Sequence, residues 1–252
     1  MARASFTISV DTRDVMKAID RLRREDAPFV TAYALTKTAQ DIKAEEVKTM
    51  GQVFDRPTRF TLNALYVKTA TKKDLSAVVE FKDGGGKSVP AWRYLGPQVS
   101  GGGRQKKSHE RRLERAGILR SDEYVVPGQG VELDAYGNMR GGLIERILSQ
   151  LQAAEQFAGY QANETARSRK RNASKRTGRY FLLRGRGAPD GIYHRPAGNT
   201  REIRPVMMFV KAPRYQKRFP FYEVAQKVFN DRFLMHARAG FERTIKPVRV
   251  KA

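Results

Sequence analysis

The chain has no cysteine among its 252 residues, a single tryptophan and only three histidines. Without cysteine there is no disulfide framework, no thiolate metal site and no cysteine nucleophile, and such a composition fits assembly in the cytosol. The histidines, His109, His194 and His236, are scattered, and no two have metal-ligand spacing. No serine sits in a Gly-x-Ser-x-Gly elbow. No apolar run approaches the roughly 20 residues that a membrane span needs, and the opening MARASFTISV lacks a secretory apolar segment. These absences lead us to expect a soluble protein made in the cytoplasm, with no membrane partner, no cofactor and no enzymatic activity. Acidic residues are also scarce. The chain carries 26 Asp+Glu against 49 Lys+Arg, a net charge of +23. Charge of that size opposes compaction by self-repulsion and points to a negatively charged neighbour. Nucleic acid comes first and acidic protein surfaces next, beside a basic surface with no specific partner.

What is present reads as an α+β protein. Phe6, Ile8 and Val10 alternate in Ser5–Val10, which predicts a strand. Asp11 or Thr12 then caps a helix carrying Val15, Ile19 and Leu22. Asp26 and Pro28 mark the start of a second helix reaching about Met50, with Ala32, Leu35, Ala39 and Ile42 on one face and Gly51 at its end. Asp55 and Pro57 form a turn. A short helix follows, burying Phe60 and Leu62 or Leu65. LYVKTAT and LSAVVEFK, joined by KKD, read as a hairpin. Lys68, Lys72 and Lys73 form a positive rim on it. An open strand edge is a site for pairing with another chain, so Tyr66 and Lys68 are candidate subunit contacts.

The middle of the chain is broken by glycine and proline from Asp83 to Lys107 and is read as loop. DGGGKS (Asp83–Ser88) fails as a phosphate-binding loop, because the first required glycine falls on Phe81 and Pro90 follows at once. In GGGRQKK, backbone amides with Arg104, Lys106 and Lys107 hold a phosphate or simply form a mobile loop. SHERRLERAGIL is a short charged helix ending at Gly117. Asp122, Glu123, Glu132 and Asp134 lie close in sequence, as Mg²⁺ ligands do in nucleases or as solvated loop acids do. Arg140–Tyr160 reads as an amphipathic helix with Leu143, Ile144, Ile147, Leu148 and Leu151 in one stripe.

From Arg167 to Arg186 there is no acid. The first half is polar and unpatterned, hence loop unless a partner orders it. Arg167, Arg169, Lys170, Arg171, Lys175, Arg176 and Arg179 are candidate contacts to a nucleic-acid backbone or to an acidic partner. Tyr180 and Phe181 offer stacking surfaces. Arg179–Leu183, Gly191–Arg195 and Val206–Lys211 are predicted strands. Phe219–Ile245 is a long helix starting at Pro220. Phe221, Val224, Ala225 and Val228 share one face, and Phe233, Leu234, Ala237 and Phe241 lie nearer the opposite side. Two apolar sides imply burial on two sides, by a local loop or by a second subunit. Phe233, Leu234 and Phe241 are therefore candidate interface residues. The expected architecture is a small antiparallel sheet packed by long N- and C-terminal helices. The core domain is assigned to 1–82 plus 201–252, and 83–200 to an inserted, loop-rich basic region with one amphipathic helix.

The order of these phrases resembles a known group. FVTAYALTKTAQDIKAEEVKTM leads into FDRPTRFTLNALYVKTATKKDLSAVVEFKD, followed by YLGPQVSGGGR, GILRSDEYVVPG, LDAYGNMRGGLIERILSQL and a closing helix after KRFPFYEVAQKVF. This layout is similar to the minor tail protein Z and tail-completion proteins of tailed bacteriophages. The resemblance implies a virion structural protein at the head–tail junction or the top of the tail, assembled as a homo-oligomeric ring or in multiple copies. It also implies contact with other neck or tail proteins. A basic surface near the DNA passage suits backbone contact with the genome. A nucleic-acid-binding phage protein acting in packaging or ejection is the alternative.

Overall fold

The computed structural model describes residues 17, 20–85, 89–157, 160–174, 178–185, 187–198 and 201–244. The predicted strand Ser5–Val10, the caps Asp11 and Thr12, the cations Lys175, Arg176 and Arg186, and Gly86, Lys87 and Ser88 of DGGGKS lie outside the described residues.

In chain order, a π-helical turn (Leu22–Asp26) runs into α1 (Ala27–Val53), then α2 (Arg59–Leu62), β1 (Leu65–Lys68) and β2 (Val78–Phe81). Next come α3 (Trp92–Ser100), β3 (Gly102–Gly103), α4 (Ser108–Arg115), β4 (Glu123–Pro127) and α5 (Gly141–Gln150). The chain continues through β5 (Gln156–Phe157), β6 (Tyr160–Gln161), α6 (Ala166–Ser174), β7 (Arg179–Leu183), β8 (Gly191–Arg195), β9 (Arg204–Lys211) and β10 (Arg214–Tyr215) to α7 (Phe221–Thr244). The protein is α+β, with long N- and C-terminal helices packed together and small antiparallel sheets between them in sequence. The described residues of 1–52, 60–91 and 219–252 form one compact unit, and those of 53–59 and 92–218 the other.

In the first unit α1 and α7 run antiparallel. Arg243 stacks over the Tyr33 ring, His236 Nε2 lies 2.8 Å from Asp41, and Glu223 neighbours Glu46. Gly240 lets the helices approach closely, since a Cβ there would come within 3.0 Å of Tyr33. The hairpin β1–β2 is antiparallel, with Leu65 opposite Phe81 and Lys68 opposite Val78. Its inner face is fixed by buried Leu65 and by Phe81, whose ring centroid is 5.2 Å from that of Phe221. Pro28 does not begin a new helix as expected from the sequence. The helix runs through it, because the preceding turn widens and Ala27 N–H bonds Leu22 O, one residue further back than in an α-helix. A proline ring clashes with the carbonyl four residues earlier, and a π turn just upstream relieves that crowding. Phe60, expected to be buried, is exposed: α2 makes a single turn and Leu65 fills the core.

The second unit is built on a four-stranded antiparallel sheet of order β4-β9-β8-β7. The strand expected at Val206–Lys211 beside the hairpin lies instead at the centre of this sheet, where Val206 and Met207 join Ile192, Val125, Ile147, Leu148 and Leu113 in one core. Helix α5 stops ten residues earlier than the sequence suggested. Gln152 adopts a left-handed conformation (φ 59°), and Ala153 N–H and Gln152 N–H bond Leu148 O and Ser149 O. That is a Schellman ending, which satisfies the last carbonyls without glycine. Segments read as loop prove helical. α3 forms despite Pro97, because Leu95 and Val99, one turn apart, are both buried. Each such side chain contributes about 1.5–3 kcal/mol, together enough to offset the roughly 3 kcal/mol cost of an internal proline.

Candidate functional site

Three regions hold the residues singled out from the sequence. The first is the hairpin. Tyr66, Lys68, Val78 and Glu80 alternate with the inward residues and form its exposed outer face. β1 and β2 pair only with each other, so among the described residues both outer edges are open. The connecting loop is held by Asp74, whose carboxylate accepts a 2.7 Å bond from Ser76 Oγ and pairs with Lys68 at 3.5 Å. Those contacts, the Ser76 bond first, hold the Asp74 carboxyl below its usual range. The Lys72 ammonium sits 5.6 Å above the Phe29 ring, and Lys73 is exposed. Of the expected positive rim, Lys68 is thus partly neutralised and Lys72 rests on an aromatic.

The second region is the outward side of α7. Leu234 is 75% exposed, and Met235, Phe241 and Tyr222 are also exposed. Leu234 and Phe241 are seven residues apart and so share one helix face. Phe233 is half-buried and stacks on Phe229 with centroids 5.0 Å apart. Within unit one the opposite face, with Phe221 and Gly240, is buried. Of the second apolar set, Phe233 and Ala237 are half-buried, and Leu234 and Phe241 remain exposed.

The third region is the acid-free run. Its first half is the helix α6 and not a loop. Thr165 caps it reciprocally: Ser168 N–H donates to Thr165 Oγ1 at 3.2 Å, and Thr165 N–H to Ser168 Oγ at 2.8 Å. Arg167, Arg169, Lys170 and Arg171 are exposed on this helix. Arg169 pairs with Glu164 at 3.6 Å, and Asn172 donates to the same carboxylate. Arg179 opens β7 and stands directly opposite Arg195 of β8. Phe181, expected to stack on a base, lies under the Arg195 guanidinium at 5.0 Å. Tyr180 packs against His194 with centroids 4.7 Å apart.

Other candidates prove to be fixed inside the second unit. Arg104 does not face outward to hold a phosphate; it donates to Glu110 and lies 4.8 Å above Tyr124. Lys106 pairs with Glu114 at 2.9 Å. Glu110 is fully buried and also accepts from the backbone N–H of Lys107 and Val125. Burial alone would raise its carboxyl, but Arg104 and the two amides bring it below the ordinary value. Of the acids read as Mg²⁺ ligands or solvated loop acids, three are partnered separately. Glu123 is held by Arg184, Glu132 pairs with Arg140, and Asp134 accepts from the amides of Tyr136 and Asn138 within a turn. Arg184 bonding, with backbone support at Arg120, lowers Glu123 to about 2. Burial pushes His109 down to about 4, so it is neutral at physiological pH. Among the described residues no group of three or more His, Asp or Glu side chains gathers in a way that holds a metal ion, and no helix is long and apolar enough to cross a membrane.

Sequence reading missed two features. One is Arg195, placed opposite Arg179 only by the strand register. The other is Glu46, a carboxylate on the buried face of α1 with neither oxygen hydrogen-bonded. The spacing of Glu46 from Ala32 and Ala39, two helical turns and then two more in the same stripe, is the signal that marks it as inward-facing. Comparison with known proteins gives no match to any protein-family model, curated protein or solved structure.

Proposed function

We propose that this chain is a virion structural protein of a tailed bacteriophage, acting at the head–tail junction or the top of the tail by joining subunits. It works as a homo-oligomeric ring or in multiple copies, in contact with other neck or tail proteins. The observation that carries the reading is the uncovered apolar side of α7, where Leu234 and Phe241 share a face and Leu234 is 75% exposed. Large apolar side chains gathered on one exposed surface mark a contact site. The open edges of the β1–β2 hairpin supply a second means of joining, by strand pairing. The order of sequence phrases, similar to minor tail protein Z and tail-completion proteins, gives the setting.

The test has two parts. Sedimentation of the purified protein is expected to show self-association, and the Leu234→Asp, Phe241→Asp double variant is expected to sediment as a monomer with unchanged circular dichroism. Imaging of intact particles with a tagged chain is expected to place it at the neck or tail top. A wild-type protein that stays monomeric at high concentration and is absent from purified particles would overturn the proposal.

A further inference from the structure

We infer that one end of the four-stranded sheet, together with α6, is a binding surface for the phosphodiester backbone of a nucleic acid, read without base selection. The argument is independent of the assembly role proposed above. It starts from a pair that folding alone does not explain. Arg179 and Arg195 are direct cross-strand partners at the end of β7–β8, and both are exposed. Like charges placed opposite each other work against strand pairing. Among the described residues neither guanidinium has a hydrogen bond or an ion pair, although Arg195 rests over Phe181.

A second pair of free cations lies on a neighbouring element. Arg167 and Lys170 of α6 are exposed and, among the described residues, also lack acidic partners. The two elements are tied to adjacent residues of α5. Glu164 N–H, just before α6, bonds Ser149 O at 3.1 Å, and Tyr180 N–H of β7 bonds Gln150 Oε1 at 3.0 Å. The cations are therefore held by one fixed scaffold, not scattered along a flexible run. The acids flanking these elements are already engaged: Glu164, ahead of α6, by Arg169 and Asn172, and Glu202, ahead of β9, by Arg204.

The partner follows from the chemistry. Interfaces between proteins deplete charge at their centre and rely on aromatic anchors. This surface has unneutralised cations at its centre, and its aromatic Phe181 is covered by Arg195. A regularly charged phosphate backbone fits it better, since guanidinium groups pair bidentately with phosphate and protein–nucleic-acid interfaces are strongly positive. The surface carries no sequence-reading motif such as a zinc finger or RNP strand, so the contact is to backbone.

The experiment uses the full chain and labelled random-sequence probes of about 30 nucleotides or base pairs, as duplex DNA, single-stranded DNA and RNA, titrated from about 50 to 200 mM salt. The Arg179→Gln, Arg195→Gln variant is expected to bind at least about tenfold more weakly, with the salt slope reduced by about 2. The Arg111→Gln, Lys211→Gln variant, which removes the same charge elsewhere on the second unit, is expected to bind like the wild type. The Arg167→Gln, Lys170→Gln variant repeats the test on an exposed helix face, in case the strand pair is needed for folding. The probe types that bind identify the nucleic acid. Equal losses in cluster and control variants would overturn the site in favour of diffuse attraction. Binding of polyglutamate through Arg179 and Arg195, with no binding of any nucleic acid, would overturn it in favour of an acidic protein.

Discussion

Glu46 makes the sharpest prediction about stability. It sits two turns from the C-terminal end of α1, fully buried, with both carboxylate oxygens unbonded. Burial first, then the charges of Glu223 and Glu45, pushes its carboxyl from 4.5 up to about 8. The folded protein therefore holds a proton that the unfolded chain releases between those values. An acid whose folded-state affinity for protons is raised contributes most below its unfolded value, and stability is lost as pH rises. The slope is about 1.4 kcal/mol per pH unit, so the full loss approaches roughly 5 kcal/mol by about pH 8. Relaxation around the ionised group reduces that figure, and about 3–5 kcal/mol is expected. Glu46→Gln keeps the shape and removes the titration. It should match the wild type near about pH 4.5 and exceed it by about 3–5 kcal/mol at about pH 8.5. Urea unfolding across this range measures the total, and amide exchange over residues 38–53 localises it to the first unit. If Glu46→Gln shows the same pH slope as the wild type, or is the less stable protein at alkaline pH, then Glu46 is ionised and partnered and the reasoning fails.

Three further predictions concern the second unit. Arg184 bonds Glu123, Asp190 and Ile118 O and lies over Phe209. Arg184→Met, which strands a largely buried Glu123, should cost about 3–5 kcal/mol in urea unfolding. Because Glu123 is depressed to about 2, its contribution is present above about 4.5 and fades as pH falls toward 2, so the variant should lose that acid limb. Gly191→Ala would place a Cβ 2.5 Å from the Met207 carbonyl oxygen, and about 2–4 kcal/mol of destabilisation is expected. Gly142→Ala, in open space at the start of α5, should instead stabilise by about 0.4–1 kcal/mol in the same assay.

The parts of the fold that were legible are those whose signal is local. The α7 periodicity, the hairpin alternation and Gly117 at the end of α4 all act within a few residues, and the structure places these elements where the sequence does. The parts that were not legible are decided over long range. Pro97 and the Gly-rich flanks argue against α3, and only the burial of Leu95 and Val99 reverses that argument. The acid-free run hid a helix whose cap, Thr165 with Ser168, lies just ahead of it and carries none of the charge that draws attention. Among the candidate site residues, Arg179 was visible as a cation. Its position opposite Arg195 depends on a register set by Tyr180, Phe181 and Leu182 against β8, which composition does not encode. Glu123 looked like a loose acid because its partner Arg184 is 61 residues away.

The π turn at Leu22–Asp26 has a consequence for how the N-terminal helix is numbered in space. One additional residue in a turn shifts the angular phase between the helix on its two sides by about 100°. Asp20 and Arg21, just ahead of the turn, and the residues from Ala27 onward therefore belong to two different helical wheels. A face extrapolated backwards from Ala32 and Ala39 misassigns Asp20 and Arg21 by more than a quarter turn. Deleting a single residue from Leu22–Asp26 would restore one continuous phase, at the expense of returning a carbonyl to the path of the Pro28 ring. The bulge thus acts as a frame shift in the helix, permitted by one proline and removable by one codon.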